Sequence, residues 1–330
     1  MSALRILLAA VLALSFVACG DDEPKDIKTY KKKGSDTMKK EGTALSEEEK
    51  QRREQAAAER KETEASNKRL SRAAGHLTKA KDSFEIAEAL AEFQAEGARA
   101  ATYIDRVEKF VDHEDAEVRA QAIKTVASVK GVKAREMLER ILNNADEDEY
   151  VRTAAIVSWT RAGLTDSGPI EALLDDIDPG IQREALKYLM VDKPTGTRLE
   201  FIRGKLSDLA GPAAKLGLQW LMKRRDQIVD LPSFVVEMLD HQDSRTRALT
   251  VALAGDASLN KYAVAEKFMR SMIDDPNLVV RKEAQKLLTA WAGSKALPSY
   301  DAEADEEARR AAVEKWLSWL SDNEAKFPKN

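Results

Sequence analysis

The chain has 330 residues, 43% hydrophobic and 33% charged, with 15 glycines and 9 prolines, a balance that favours long helices punctuated by short turns over many strands. Its charges are unevenly placed: residues 20–81 carry 17 basic and 13 acidic side chains, whereas 82–330 carry 35 and 44. The acidic balance of the long C-terminal part disfavours a nucleic-acid partner.

Arg5 opens an apolar run over 6–17. That run falls short of the roughly 20 residues of a membrane-spanning helix and has the length of a signal-peptide core. It ends in Phe16-Val17-Ala18-Cys19-Gly20, followed by Asp21 and Asp22. The segment resembles a bacterial lipobox, with Phe16 in place of the usual leucine. The resemblance implies a signal peptide over 1–18 and a lipidated Cys19 as the mature N-terminus. Because Gly20, not aspartate, follows the cysteine, it also implies an outer-membrane anchor facing the periplasm. Acyl chains contribute about 0.8 kcal/mol per buried methylene, so two or three of them make such an anchor effectively permanent. Cys19 is the only cysteine, so no disulfide can form.

Residues 19–43 contain Pro24, Gly34, Gly42 and Lys31-Lys32-Lys33 with little apolar material, and are expected to be a disordered tether. Over 44–81 the text turns to helix formers: Ser46 and Glu49 have capping-box spacing, and Leu45, Ala56 to Ala58, Leu70 and Leu77 make too thin a stripe for a coiled coil. This stretch is expected to be a charged, solvated helical linker, with Gly75 a candidate break.

From 82 onward the chain repeats. An apolar-basic pair followed three residues later by a small or apolar residue recurs as Val118-Arg119 with Ala122, Val151-Arg152 with Ala155, Ile181-Gln182 with Ala185, Ala214-Lys215 with Leu218, Thr246-Arg247 with Thr250, and Val280-Arg281 with Ala284. We number these repeats one to six; their anchors are 33, 30, 33, 32 and 34 residues apart. Asp115, Asp148, Asp178 and Asp243 stand just before the anchors, with Gly211 and Asn277 in the other two repeats, and most of these are helix N-cap residue types. Apolar positions such as Val118, Ala122 and Val126 share one helical face. A further amphipathic stretch upstream of each turn makes every repeat a helix pair.

This pattern resembles HEAT repeats of the short bacterial type, over 82–322. The resemblance implies an all-α fold, a right-handed α-solenoid of about six helix pairs with two degenerate capping units at Asp82 and Asp305, and a polar tail over 323–330. It places the second helices on the concave side. A lone helix pair cannot bury its apolar face, so each repeat is stabilised by its neighbours.

No reaction centre is legible. His76, His113 and His241 lack metal-ligand spacing, and neither a nucleophile elbow nor a phosphate or dinucleotide loop occurs. His113 and His241 occupy equivalent turns and are expected to be structural. Asp115, Asp148, Asp178 and Asp243 are explained by capping plus an ion pair with the basic anchor one turn on. Asp146-Glu147-Asp148-Glu149 lacks the glycine and spacing of a calcium loop. Trp159, Trp291, Trp316 and Trp319 fall on apolar faces. Trp220 instead shares an outward stripe with Lys124, Val157, Lys187, Ala252 and Lys286. An exposed tryptophan there would be a candidate binding hot spot.

The expected function is a membrane-tethered scaffold that binds another envelope protein or an extended segment on its concave face through Lys124, Val157, Lys187, Trp220 and Lys286. No enzyme activity, cofactor or metal is expected. Two alternatives stay open: a small-molecule or lyase-like factor akin to the HEAT-like bilin lyases, and a passive spacer.

Overall fold

A computed structural model describes residues 46–330 except 192–193, 229, 256–258, 260, 294–296 and 328–330. The signal peptide, Cys19 and the tether over 19–43 lie outside the described residues. The described residues are helical, without strands. The chain divides after Gln55 into two units, and of the first only residues 46–55 are among the described residues. In the first, Ser46 and Glu49 form a reciprocal capping box: each backbone N–H donates to the other's side chain at 3.2 Å.

In chain order the helices are α1 (Glu47–Lys79), α2 (Ser83–Glu96), α3 (Ile104–Val107), α4 (Ala116–Lys130), α5 (Arg135–Leu142), α6 (Glu149–Arg161), α7 (Gly168–Glu171), α8 (Pro179–Leu189), α9 (Gly196–Lys205), α10 (Gly211–Met222), α11 (Leu231–Met238), α12 (Ser244–Leu253), α13 (Tyr262–Lys267), α14 (Leu278–Ala292) and α15 (Glu306–Asp322). The second unit is an all-α solenoid. Its second helices pack in sequence, α2 on α4, α4 on α6, and so on to α12 on α14, while first helices pair as α5 with α7 and α11 with α13. Several first helices are short and extended by tight turns, such as Gly97–Tyr103 before α3 and Ala172–Asp175 after α7.

The second helices of repeats one, two, three and five start where an aspartate satisfies otherwise orphaned backbone donors, and Asn277 does the same in repeat six. Asp115 accepts from Glu117 N at 2.8 Å, Asp148 from Tyr150 N at 2.8 Å, Asp178 from Gly180 N at 2.7 Å and Asp243 from Thr246 N at 2.8 Å. Three residues on, Val118, Val151, Ile181, Thr246 and Val280 are fully buried, and the small residues four positions further let neighbouring helices approach. His113 and His241 accept the N–H of Asp115 and Asp243 at Nδ1, at 3.1 and 3.0 Å, and Asp176 and Asp275 do the same for Asp178 and Asn277 at 2.9 and 2.8 Å. His241 is buried, and its Nε2 donates to Leu209 O at 3.0 Å.

Contrary to the expectation from the sequence, the anchor arginines do not pair with the capping aspartate of their own repeat. Each folds back onto the carbonyls of its own turn and reaches forward into the next repeat. Arg119 donates to His113 O and Glu114 O, both at 2.8 Å, and pairs with Glu147 at 2.7 Å. Arg152 donates to Leu142 O at 2.9 Å and pairs with Asp176. Arg247 donates to His241 O and Gln242 O and pairs with Asp275, and Arg281 donates to Asp275 O and to Ala302 O of the closing unit. The capping oxygens are already engaged by backbone N–H groups, whereas the next turn offers an acid at the reach of an extended guanidinium. The result is a ladder of largely buried rungs along the array. Exposed pairs run beside it: Arg140–Asp112, Lys205–Asp175 and Lys267–Asp240, at 3.2, 2.7 and 2.6 Å.

Repeat four breaks the ladder. Its N-cap is Ala210, not Gly211, and no side chain caps it. The register therefore shifts by one: Ala213 takes the buried apolar position, Ala214 the arginine position and Gly217 the small-residue position, and all three are buried. Gly217 is suited to its place, since a Cβ there would lie 2.4 Å from Leu206 Cδ2. Gln182 of repeat three matches this change, donating to Asp176 O at 2.7 Å and accepting Ala210 N–H at 2.8 Å.

The ends also differ from expectation. Helix α1 runs through Gly75 without a break. The later part of the expected linker is not solvated: Ser66, Leu70, Ala73 and Ala74 are buried, and Glu96 of α2 binds Ser66 at 2.6 Å and pairs with Arg69. The tail is not wholly polar, because Phe327 is buried against Trp319 at a ring distance of 6.1 Å.

Candidate interaction face

The outward stripe of the second helices lies nine residues beyond each cap. Val157 is 48% exposed, Lys187, Ala252 and Lys286 are exposed, and Lys124 is half-buried. Lys124 lies over the Tyr150 ring, 5.1 Å from its centroid, with Nζ 3.4 Å from the hydroxyl. Lys187 pairs with Glu184 at 2.6 Å and Lys286 with Glu283 at 3.9 Å. These residues fall one per repeat on successive helices, so they line a surface and do not converge on a point.

Trp220 does not belong to this stripe. With the cap at Ala210, the ninth position is Gln219, which is exposed, while Trp220 is half-buried against the core and its face is covered by the Arg224 guanidinium 4.3 Å from the ring centroid. The apolar-basic pair Ala214-Lys215 imitates the anchors of the other repeats, and this set the sequence register one residue late. Trp159 and Trp316 are fully buried, with Trp291 and Trp319 packed partly against the core.

Lys187 and Gln219 open onto a depression of about 510 Å³ between α8, α10 and α12, lined also by Arg183, Lys215, Leu216 and Arg245. The sequence reading missed Arg183, Lys215 and Arg245 as neighbours because the shifted register placed Lys215 among the structural anchors. At its edge, burial raises the Asp243 carboxyl, but the Thr246 backbone N–H and hydroxyl outweigh this and hold it below the usual carboxylate range. The same contest at Asp176 is won by Arg152 and the Asp178 N–H. The Ser83 hydroxyl and the Val118 N–H hold Asp115 low. Among the described residues no three His, Cys, Asp or Glu side chains gather as a metal would require, and no helix is long and apolar enough to cross a membrane.

Residues 78–159 match HEAT repeats. The matched stretch covers α2 to α6, the opening unit with repeats one and two, where cap, buried valine and arginine rung are most regular. HEAT repeats generally mediate contacts between proteins. The HEAT-like pattern continues past the match in the structure, through the Gln182 and Ala214 departures, to Arg309 of α15, which donates to Ala304 O at 2.6 Å and pairs with Asp274 at 3.1 Å. No curated protein matches the chain.

Proposed function

We propose that this chain is a membrane-tethered interaction module of the bacterial envelope, held by acyl chains on Cys19 at the outer membrane, that binds a segment of another envelope protein on the outward face of its second helices. It binds and does not catalyse. The observation that carries this reading is the register of that face: Lys124, Val157, Lys187, Gln219, Ala252 and Lys286 stand at one equivalent position on six successive second helices. Such a surface suits an elongated ligand better than a small substrate, which needs convergent groups in one enclosed site. The lipobox-like segment supports the anchor, and a permanent anchor leaves the solenoid free to act on partners within reach of the tether.

Crosslinking in intact cells, followed by capture of the chain, tests the reading. Wild type is expected to yield a discrete protein partner, and Lys124→Glu/Lys187→Glu/Lys286→Glu is expected to lose it. A Cys19→Ala chain is expected to leave the membrane fraction. A partner captured equally by the charge-reversed chain would remove the face from the reading, and capture of no protein by wild type would remove the module.

A further inference from the structure

We propose that the depression between α8, α10 and α12, where Arg183, Lys187, Lys215 and Arg245 stand together, docks an acidic, extended segment of the partner protein. This rests on the interaction-module reading and names the chemistry of its ligand.

The charge map of the chain singles out this place. Residues 179–225 hold ten basic and four acidic side chains, whereas 82–178 hold 11 and 22, and 226–330 hold 14 and 18. A basic band thus interrupts an acidic solenoid, and the depression lies within and beside it. Its cations are under-neutralised. Arg183 and Lys187 share the single carboxylate of Glu184, at 3.2 and 2.6 Å. Among the described residues Lys215 and Arg245 have no carboxylate at ion-pair distance. Asp243, the acid in the lining, is committed to capping α12 and offsets Arg245 only through space, without an ion-pair contact. The shifted register is what frees Lys215: Ala214 occupies the rung position, so the lysine turns outward.

The spacing favours a peptide over a single phosphate group. The cations come from three successive helices, and packed helices lie about 8–10 Å apart, so the site spans about 20 Å. An extended chain rises about 3.3 Å per residue and crosses that distance in about six residues. Between the cations, Pro212 and Leu216 form an apolar floor and Gln219 supplies a neutral hydrogen-bonding group. Acidic side chains alternating with apolar ones would satisfy both. The chain's own residues 20–81 carry a basic excess and are the wrong sign to fill the site.

The full chain is titrated into a fluorescein-labelled octapeptide of alternating glutamate and leucine and followed by fluorescence anisotropy. An octapeptide of alternating lysine and leucine, inorganic phosphate and phosphatidylglycerol vesicles serve as comparison ligands. The glutamate peptide is expected to bind saturably, more weakly as salt rises. Affinity should fall at least tenfold in Lys215→Glu/Arg245→Glu and severalfold in Lys215→Ala/Arg245→Ala, with helicity retained by circular dichroism, and should be unchanged in Lys133→Glu, an exposed lysine of the Gly131–Ala134 turn before α5 that does not line the depression. Equal binding of the lysine peptide, unchanged affinity in both double variants, or binding confined to phosphate or vesicles would overturn the proposal. In cells, a partner still captured by Lys215→Glu/Arg245→Glu would overturn the docking site while leaving the interaction module standing. Capture of no partner by wild type would overturn both.

Discussion

Arg247 is the rung that joins repeats five and six, and replacing it with alanine isolates what the ladder contributes. Its side chain is 12% exposed and that of Asp275 3%. The guanidinium holds both Asp275 oxygens, at 2.7 and 3.0 Å, and both turn carbonyls, His241 O and Gln242 O, at 2.8 and 2.9 Å. In Arg247→Ala the Asp275 carboxylate keeps only the Asn277 N–H at 2.8 Å, and two carbonyls lose a charged donor. Removing one member of a buried pair costs about 3–5 kcal/mol, and the slight exposure of the arginine end sets the expectation near the lower bound, about 3 kcal/mol. The exposed intrahelical pair Arg270–Glu266 provides the control, and Arg270→Ala should stay within about 0.5 kcal/mol of wild type. Urea unfolding followed by circular dichroism gives the global effect, and hydrogen exchange over α12 and α14 locates it, because repeat arrays lose structure by nearest neighbours. If Arg247→Ala were no less stable than Arg270→Ala, the rungs would be ornamental and the repeats would cohere by apolar packing alone.

The capping carboxylates make stability depend on acid. Asp243 titrates lower in the folded chain than in the unfolded one, so its contribution is present above the unfolded value of about 3.9 and is lost as pH falls through the folded one. Asp243→Asn, which keeps a capping oxygen, should lose less stability than wild type as pH falls below about 4, read from thermal melts at successively lower pH. Trp220→Ala should destabilise the fold by about 2 kcal/mol, a fraction of the cost for a fully buried tryptophan, yet change glutamate-peptide affinity less than twofold. A larger loss of affinity with the fold intact would return Trp220 to the binding surface. Burial pushes the Tyr300 hydroxyl, which donates to Ile273 O, up to about 12. Burial also raises the Tyr188 hydroxyl, so a spectrophotometric titration should show more than one tyrosine ionising late, and the late component should shrink in Tyr300→Phe without vanishing.

The parts of this fold that were legible in the sequence are those made by near neighbours. An aspartate two or three residues before the N–H it receives leaves a local signature, so Asp115, Asp148, Asp178 and Asp243 could be placed from spacing alone. The arginine rungs were not legible, since Arg119 and Glu147 stand 28 residues apart and the capping aspartate offered a nearer, plausible partner. Repeat four misled for a related reason: with no capping side chain at Ala210, only the imitation anchor Ala214-Lys215 remained to set its register. The burial of Leu70 and Ala73 escaped notice because a thin apolar stripe on a charged helix reads the same whether or not a neighbour covers it. The basic depression needed three helices brought side by side, and their residues span 183 to 245 in the chain.

The gap in the ladder has a mechanical meaning. Repeats one to three and five to six are riveted by guanidinium groups with several bonds each, whereas the second helices on either side of repeat four are joined without such a rung, through Gln182 to Ala210, His241 to Leu209, and Thr246 Oγ1 to Gly211 O at 3.4 Å, leaving at the joint to repeat three only the more exposed first-helix pairs Lys205–Asp175 and Arg198–Glu171. A rod built this way is not uniformly stiff. Pulled from its ends, it should yield first at its middle, separating into two blocks that each remain folded, and the compliant joint is the one that carries the free lysine.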